Sequence, residues 1–120
     1  MGMSLGAVVA QGTVSYTNTT AKTLFSLPPG AVPLFAVVHT SVAFNDSGTD
    51  LLSIGAGSVA TYFASGINVG AIGGQMIVLN QVPNLERQTQ VTVTYTGQNS
   101  NSSAGRARIS LVYATPFDPA

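Results

Sequence analysis

The single histidine, His39, is the first residue to consider for catalysis. A nucleophile–base pair would need this imidazole beside a serine or threonine, with an acid to orient it. His39 instead lies within an apolar stretch, and the acidic residues are distant along the chain. We interpret it as a strand histidine with its polar atoms satisfied, and we predict that the protein is not an enzyme.

Two other motifs resemble sites but are incomplete. Asp46 and Asp50 flank a Ser-Gly-Thr turn, and loop carboxylates are ligands that Ca²⁺ accepts, but the glutamate that closes a calcium loop is missing. Aspartate and glycine are also ordinary turn residues, so we favour a turn and predict no metal site. Residues 55–60 fit the pattern G-x-G-x-x-A, but no helix pattern follows and no acid occurs between Asp50 and Glu86. We therefore predict no bound cofactor.

Charge is scarce along the chain. Only 7% of the residues are charged, against roughly 25% in an ordinary soluble domain, and the net charge is zero. The few cations form no basic run of the kind that phosphate backbones or anionic membranes require, so we predict neither nucleic-acid nor membrane binding. Arg106 and Arg108 share one strand face, where we leave open an intersubunit pairing with acids or a solvated edge.

Two features bear on where the protein folds. The chain contains no cysteine, so neither disulfides nor thiolate metal sites are available. Its first ten residues lack the basic start and the apolar length of a signal peptide. We therefore expect folding in a reducing cytoplasm.

The elements that must position all of these residues are strands. Residues 89–96 alternate strictly, with Val91, Val93 and Tyr95 on one face and threonines on the other. Alternation resumes after a polar loop over residues 106–113, which predicts an antiparallel hairpin. Further short strands are predicted at 12–17, 23–27, 32–44, 51–54, 59–64 and 76–79. About eight short antiparallel strands between turn signals predict an all-β fold, a β-sandwich of jelly-roll type.

The segment 32–44 is apolar on both faces, so its second face must meet another sheet or another subunit. Within each strand, the apolar residues of one parity are predicted to face the core. The predicted core residues are Val38, Val42, Phe44, Leu52, Ile54, Val91, Val93, Tyr95, Ile109, Leu111 and Tyr113.

We divide the chain into an N-terminal arm or extra strand (1–20), the sandwich (21–116) and a C-terminal tail (117–120). The low charge favours a surface that is partly covered by partners. We therefore predict self-association through the arm, the second face of 32–44, the apolar glycine-rich loop 66–74 and the two arginines. The interface candidates are Leu5, Val8, Val9, Phe35, Val37, Ile67, Val69, Ile72, Arg106 and Arg108.

Several turn and strand phrases look familiar together: 27–32 (LPPGAV), 42–49 (VAFNDSGT), 52–55 (LSIG) and 104–113 (AGRARISLVY). Over roughly residues 20–115 the chain resembles the small β-sandwich decoration or cement proteins of tailed-bacteriophage heads. The resemblance implies a jelly-roll-like homotrimer on the capsid exterior that bridges neighbouring major capsid proteins. It implies no catalytic residue.

Two rival classes differ from this interpretation. A tail-fibre or receptor-binding module would present an exposed aromatic cluster, for which Tyr62, Phe63 and Tyr16 are the candidates, although the lack of tryptophan weakens glycan stacking. A hydrolase on a β-scaffold is disfavoured by one histidine and four acids.

Overall fold

The architecture was obtained from a computed structural model that describes residues 4–80 and 85–117, with side chains for 7–80 and 85–115. This part of the chain contains eight strands and no helix, and therefore no helix that spans a membrane. The strands are β1 (Ser4–Ser15), β2 (Lys22–Leu27), β3 (Val32–Val42), β4 (Asp50–Ala56), β5 (Val59–Asn68), β6 (Gly73–Val78), β7 (Thr89–Gly97) and β8 (Arg106–Phe117).

The strands form two antiparallel four-stranded sheets. The first sheet has the order β1-β8-β3-β6 and the second has the order β2-β7-β4-β5. Except for the β4–β5 hairpin, each strand is followed by one in the other sheet, which is the path of a jelly roll. The all-β jelly-roll prediction is confirmed, although β1 and β8 are longer than the strands predicted at 12–17 and 106–113.

The core lies between the inner faces of the two sheets. In the first sheet β8 contributes Ala107, Ile109 and Leu111, which are fully buried. In the second sheet β7 contributes Val91 and Val93, also fully buried. Alternation of apolar and polar residues therefore determined which face of each strand points inward.

Ten of the eleven predicted core residues are buried, and Val42 is the error. Its side chain is 45% exposed, whereas Thr40 is buried. The β3–β8 register shifts between these two residues, which marks a bulge. A bulge adds one residue to one strand, so the side chains beyond it exchange faces. Val42 consequently pairs with Arg106 on the outer face.

Phe44 returns to the core just after β3. Its ring lies 4.7 Å from that of Tyr95 and packs against Gly105. A Cβ at Gly105 would lie 2.5 Å from the Phe44 ring, and the φ of Gly105 is +150°. Glycine is therefore required here both for space and for backbone conformation.

The segment predicted as an arm or extra strand enters the sandwich as β1. It pairs with β8 from Ser4↔Phe117 to Ser15↔Arg106. Val14 is buried, and Gly12 leaves room for Leu24 of β2, because a Cβ there would lie 2.9 Å from Leu24 Cδ2. β1 is thus an edge strand whose second half supports the core. The division of the chain at residues 20 and 116 stays a prediction, and residues 118–120 of the tail lie outside the described part.

Candidate functional site

The outer face of the first sheet carries a contiguous apolar surface. Directly paired residues of an antiparallel sheet share a face, so the register gives the composition of each row across the four strands. One row is Val9, Val112, Phe35 and Val78. The next row is Gln11, Ser110, Val37 and Met76, and the Gln11 amide donates to Ser110 Oγ at 3.2 Å. We call these two rows the apolar rows.

The apolar rows are open to solvent in the single chain. Val78 is 84% exposed, Met76 68% and Val9 53%, while Phe35, Val37 and Val112 are half-buried by their neighbours. Contiguous exposed apolar side chains of this kind mark interaction sites. This is the second face of segment 32–44, which the sequence assigned to another sheet or subunit.

The same face becomes polar and cationic toward the other end of β8. The row after Met76 contains Thr13, Arg108, His39 and Gly74, and the following row contains Ser15, Arg106 and Val42. Both arginines are exposed. Lys22 of β2 joins them at the sheet edge. It shares a cleft of about 390 Å³ with Arg106, and its Nζ donates to the Thr13 carbonyl at 2.7 Å. We call Lys22, Arg106 and Arg108 the cationic end.

The structure brings five of the predicted interface residues onto this face, namely Val9, Phe35, Val37, Arg106 and Arg108. Val8 has the inward parity opposite Tyr113 but is 39% exposed near the sheet end. Ile72 is exposed between β5 and β6, away from the rows. The side chain of Leu5 lies outside the described residues.

Two predicted interface residues lie in the core instead. Ile67 pairs with Leu52 and is buried, because register shifts between β4 and β5 turn it inward. Val69 is also buried, and its backbone bonds Asp50 and Phe44. The loop that the sequence presented as an apolar patch therefore contributes these side chains to its own chain.

Sequence reasoning missed three apolar members of the apolar rows: Val112, Met76 and Val78. The predicted strand at 76–79 was too short to reveal its parity, and β6 in fact begins at Gly73. The alternating exposure of residues 73–78 becomes meaningful only once β3 is known to be its neighbour.

At the end of the sandwich near Phe44, Asp46 organises two loops. Its carboxylate accepts N–H groups from Gly48 at 2.7 Å and from Asn99 and Asn101 at 3.1 Å. Burial acts to raise the pKa of Asp46, but these backbone donors together with Ser100 hold it below its ordinary value. The carboxylate thus ties the β3–β4 loop to the β7–β8 loop.

Asp50 has a similar structural task. It accepts the Tyr95 hydroxyl at 2.5 Å and the Asp46 backbone N–H at 2.9 Å, and the Tyr95 hydroxyl also contacts Ser102. Burial and the bond to Asp50 raise the pKa of Tyr95 to about 12. Since N–H and O–H donors face both carboxylates, the arrangement stabilises loops. No group of three or more metal-ligating acids, histidines or cysteines occurs within residues 4–80 and 85–117.

The aromatic residues required by the receptor-binding alternative do not form an exposed cluster. Phe63 is fully buried and packs edge-on against the half-buried Tyr62, with ring centres 4.9 Å apart. Tyr16 is half-buried beside a cleft of about 590 Å³ whose other lining residues are mostly hydroxyl-bearing. His39 is exposed opposite Arg108, in a row with no acid.

Comparison with known proteins gives structural relatives only. No protein-family model and no curated protein sequence matches the chain. A chain of the cyanophage Pam1 capsid asymmetric unit is similar with a TM-score of 0.74 at 22% identity, covering 93% of this chain and 86% of that chain. A chain of the acid-stable capsid of Helicobacter pylori bacteriophage KHP30 gives 0.70 at 14% identity, covering 99% and 95%. A chain of the Ralstonia phage GP4 capsid gives 0.67 at 19% identity, covering 96% and 86%. At these identities the similarity establishes a shared fold.

Proposed function

We propose that this chain is a non-enzymatic structural protein of a bacteriophage virion. It decorates the capsid exterior and stabilises the shell by bridging neighbouring major capsid proteins. The observation that carries the proposal is the uncovered outer face of the first sheet, where an apolar surface adjoins a cationic end. A face of this kind suits a protein that works by contact.

The choice of a capsid is supported by the fold, which the chain shares over most of its length with chains from three phage capsids. It is also supported by the composition. A surface poor in charge is suited to burial against partners, and folding in the host cytoplasm requires no disulfide. Many weak contacts repeated over a shell would combine through multivalency.

Self-association, as a homotrimer, is the second part of the proposal. The trimer number derives from the resemblance to decoration proteins. The surface argument derives from β6, an edge strand with the sequence GGQMIV that carries no charge and no bulge against β3. Charges and bulges are the usual devices that keep a sheet edge from pairing with another chain. The apolar rows end on this unprotected edge.

The location is tested by electron microscopy of intact particles of the phage that encodes the chain. We expect density for this jelly roll on the outside of the shell, spanning the junction between major capsid subunits. Density confined to the tail, or absence from the particle, would contradict the proposal.

The role of the apolar rows is tested with a matched pair of substitutions. Val78→Lys places a charge on the β6 edge within the rows, and Val59→Lys does the same on the β5 edge of the second sheet, where the valine is 52% exposed. Neither side chain belongs to the core, so both variants should fold. We expect Val78→Lys to reduce self-association and capsid binding, measured by light scattering and particle co-sedimentation, and Val59→Lys to change neither. Equal behaviour of the two variants would remove the apolar rows from the mechanism.

A further inference from the structure

The charges of this nearly neutral chain are distributed unevenly. The sequence contains four cations, and three of them, Lys22, Arg106 and Arg108, meet at the cationic end. The only histidine, His39, lies directly opposite Arg108. Only Arg87 lies elsewhere, between Leu85 and β7. A zero net charge therefore conceals one concentrated positive area.

The three acids within residues 4–80 and 85–117 do not compensate this area. Asp46 and Asp50 are buried, and their carboxylates are engaged by backbone N–H groups and the Tyr95 hydroxyl. Glu86 follows Leu85, whose backbone pairs with Gly30 and Ala31 just before β3, whereas Arg106 pairs with the far end of β3. The fourth acid, Asp118, lies outside the described residues.

The geometry of the arginines favours carboxylates as partners. Arg106 and Arg108 are two residues apart on one strand and one face, about 7 Å from each other. Like charges so placed repel each other until a counter-charge arrives. The planar guanidinium groups offer paired donors that match a carboxylate, and such charge-assisted bonds are among the strongest hydrogen bonds in proteins.

We propose that the cationic end is a docking site for a carboxylate-bearing segment of a neighbouring capsid protein. This inference rests on the proposed function and adds the chemistry of the partner. A protein segment fits better than nucleic acid, because the cations are too few for a phosphate-tracking surface and adjoin the apolar rows on the same face. A segment that places acids beside apolar side chains would complement both parts of that face.

The direct test uses the whole chain and a hexaglutamate peptide as the probe. Binding is followed at low ionic strength through backbone amide shifts in nuclear magnetic resonance. We expect shifts centred on residues 13–15, 22 and 106–108 and a marked loss of affinity as salt is raised. Arg106→Gln and Arg108→Gln should each weaken binding about tenfold. Arg87→Gln, which removes the same charge at another place, should leave it within about twofold.

Four results would overturn the inference. If hexaglutamate does not bind, there is no site. If Arg106→Gln, Arg108→Gln and Arg87→Gln all weaken its binding equally, the binding is not localised at the cationic end. Hexaglutamine that binds as well would show that charge is not what is recognised. An oligothymidylate that binds the same residues more tightly than hexaglutamate would assign the site to nucleic acid instead.

Experiments on intact phage particles distinguish a failure of this inference from a failure of the proposed function. If microscopy places the chain on the shell but Arg106→Gln and Arg108→Gln leave its occupancy and salt sensitivity unchanged, the docking site is wrong and the decoration role stands. If the chain is absent from the shell while the two arginines still bind hexaglutamate, the site is real and its assigned partner is wrong.

Discussion

The two sheets share one core but have opposite outer faces. On the first sheet the outer row through β3 and β8 is Val9, Val112, Phe35 and Val78. On the second sheet β7 and β4 place Thr92, Thr94, Thr96 and Ser53 outward, where Thr96 is exposed and the hydroxyls of Thr92 and Thr94 are buried. A strand that is apolar on both faces needs packing partners on both faces, whereas a face of threonine side chains is compatible with contact to water. The difference is that the first sheet exposes a contiguous apolar outer face, whereas the strands in the middle of the second sheet carry hydroxyl side chains outward.

The sheet edges show the same contrast. In the second sheet, β2 has a bulge against β7 and begins with Lys22, and β5 has two register shifts against β4. In the first sheet, β1 and β6 pair without any shift and contain no charged residue. Bulges and charges discourage edge-to-edge pairing, so only the first sheet has edges suited to contact with another chain.

The largest expected loss of stability comes from the core that both sheets share. Ile109→Ala should lower the free energy of unfolding by about 2–5 kcal/mol, because a fully buried side chain leaves a cavity. Val112→Ala on the outer face of the same strand should cost clearly less. Denaturant titration of both variants measures the difference. Equal losses would mean that the outer face of β8 is covered within the single chain.

The next largest loss of stability is expected when the hydrogen bonds between the second sheet and the loops are removed. Tyr95→Phe removes the hydroxyl that donates to Asp50 and contacts Ser102, and should cost about 1–3 kcal/mol. Tyr62→Phe, on a half-exposed ring of the same sheet, should change stability by less than about 0.5 kcal/mol. Denaturant titration at pH 7 compares the two. A neutral Tyr95→Phe would show that the loops do not depend on this bond.

The raised pKa of Tyr95 predicts that the protein loses stability at alkaline pH. Its pKa is raised to about 12 in the fold, whereas an unfolded tyrosine ionises near 10. The stabilisation is therefore complete below about pH 10 and is lost as the pH rises toward 12. Tyr95→Phe should lack this component, so its stability should fall less over that interval than that of the wild type. Identical alkaline profiles would contradict the raised pKa.

The lowered pKa of Asp46 predicts that the protein loses stability at acid pH. Because its pKa is lowered in the fold, its stabilisation is present above about pH 4 and is lost as the pH falls through the folded-state value. Asp46→Asn should flatten the acid limb of a plot of stability against pH, while Glu86→Gln, on an exposed residue, should leave it unchanged. An unaltered acid limb in Asp46→Asn would show that the loop bonds do not stabilise the fold.

The sequence predicted the fold where alternation was regular and failed where bulges occur. Val91, Val93 and Tyr95 are buried as predicted, because β7 keeps one parity against β4 from Val91 to Gly97. Val42 was wrong because the bulge after Thr40 exchanges the two faces, and no local residue pattern marks that bulge.

The apolar rows were predictable only in part. Phe35 and Val37 stand out in the sequence, since β3 is apolar at both parities. Met76 and Val78 do not, because their role depends on β6 lying beside β3, a pairing between residues about forty positions apart. Lys22 and Arg106 are distant in the sequence and line the same cleft only because the jelly-roll topology places β2 beside β1.

The smallest expected effect on the isolated chain is also the sharpest test of the contrast between the two faces. Val78→Thr on the first sheet and Thr96→Val on the second exchange the character of one exposed position on each face. In dilute solution, each should change the free energy of unfolding by less than about 0.5 kcal/mol.

Raising the protein concentration should separate these variants. An oligomer gains stability by mass action, so the wild type and Thr96→Val should become harder to unfold as the concentration increases. Val78→Thr should gain less, because it weakens the contact that holds the copies together. Denaturation over a hundredfold range of concentration, with sedimentation velocity on the same samples, measures both quantities. A wild-type midpoint independent of concentration would reject self-association through this face. A large loss for Val78→Thr in dilute solution would show that Val78 packs within its own chain.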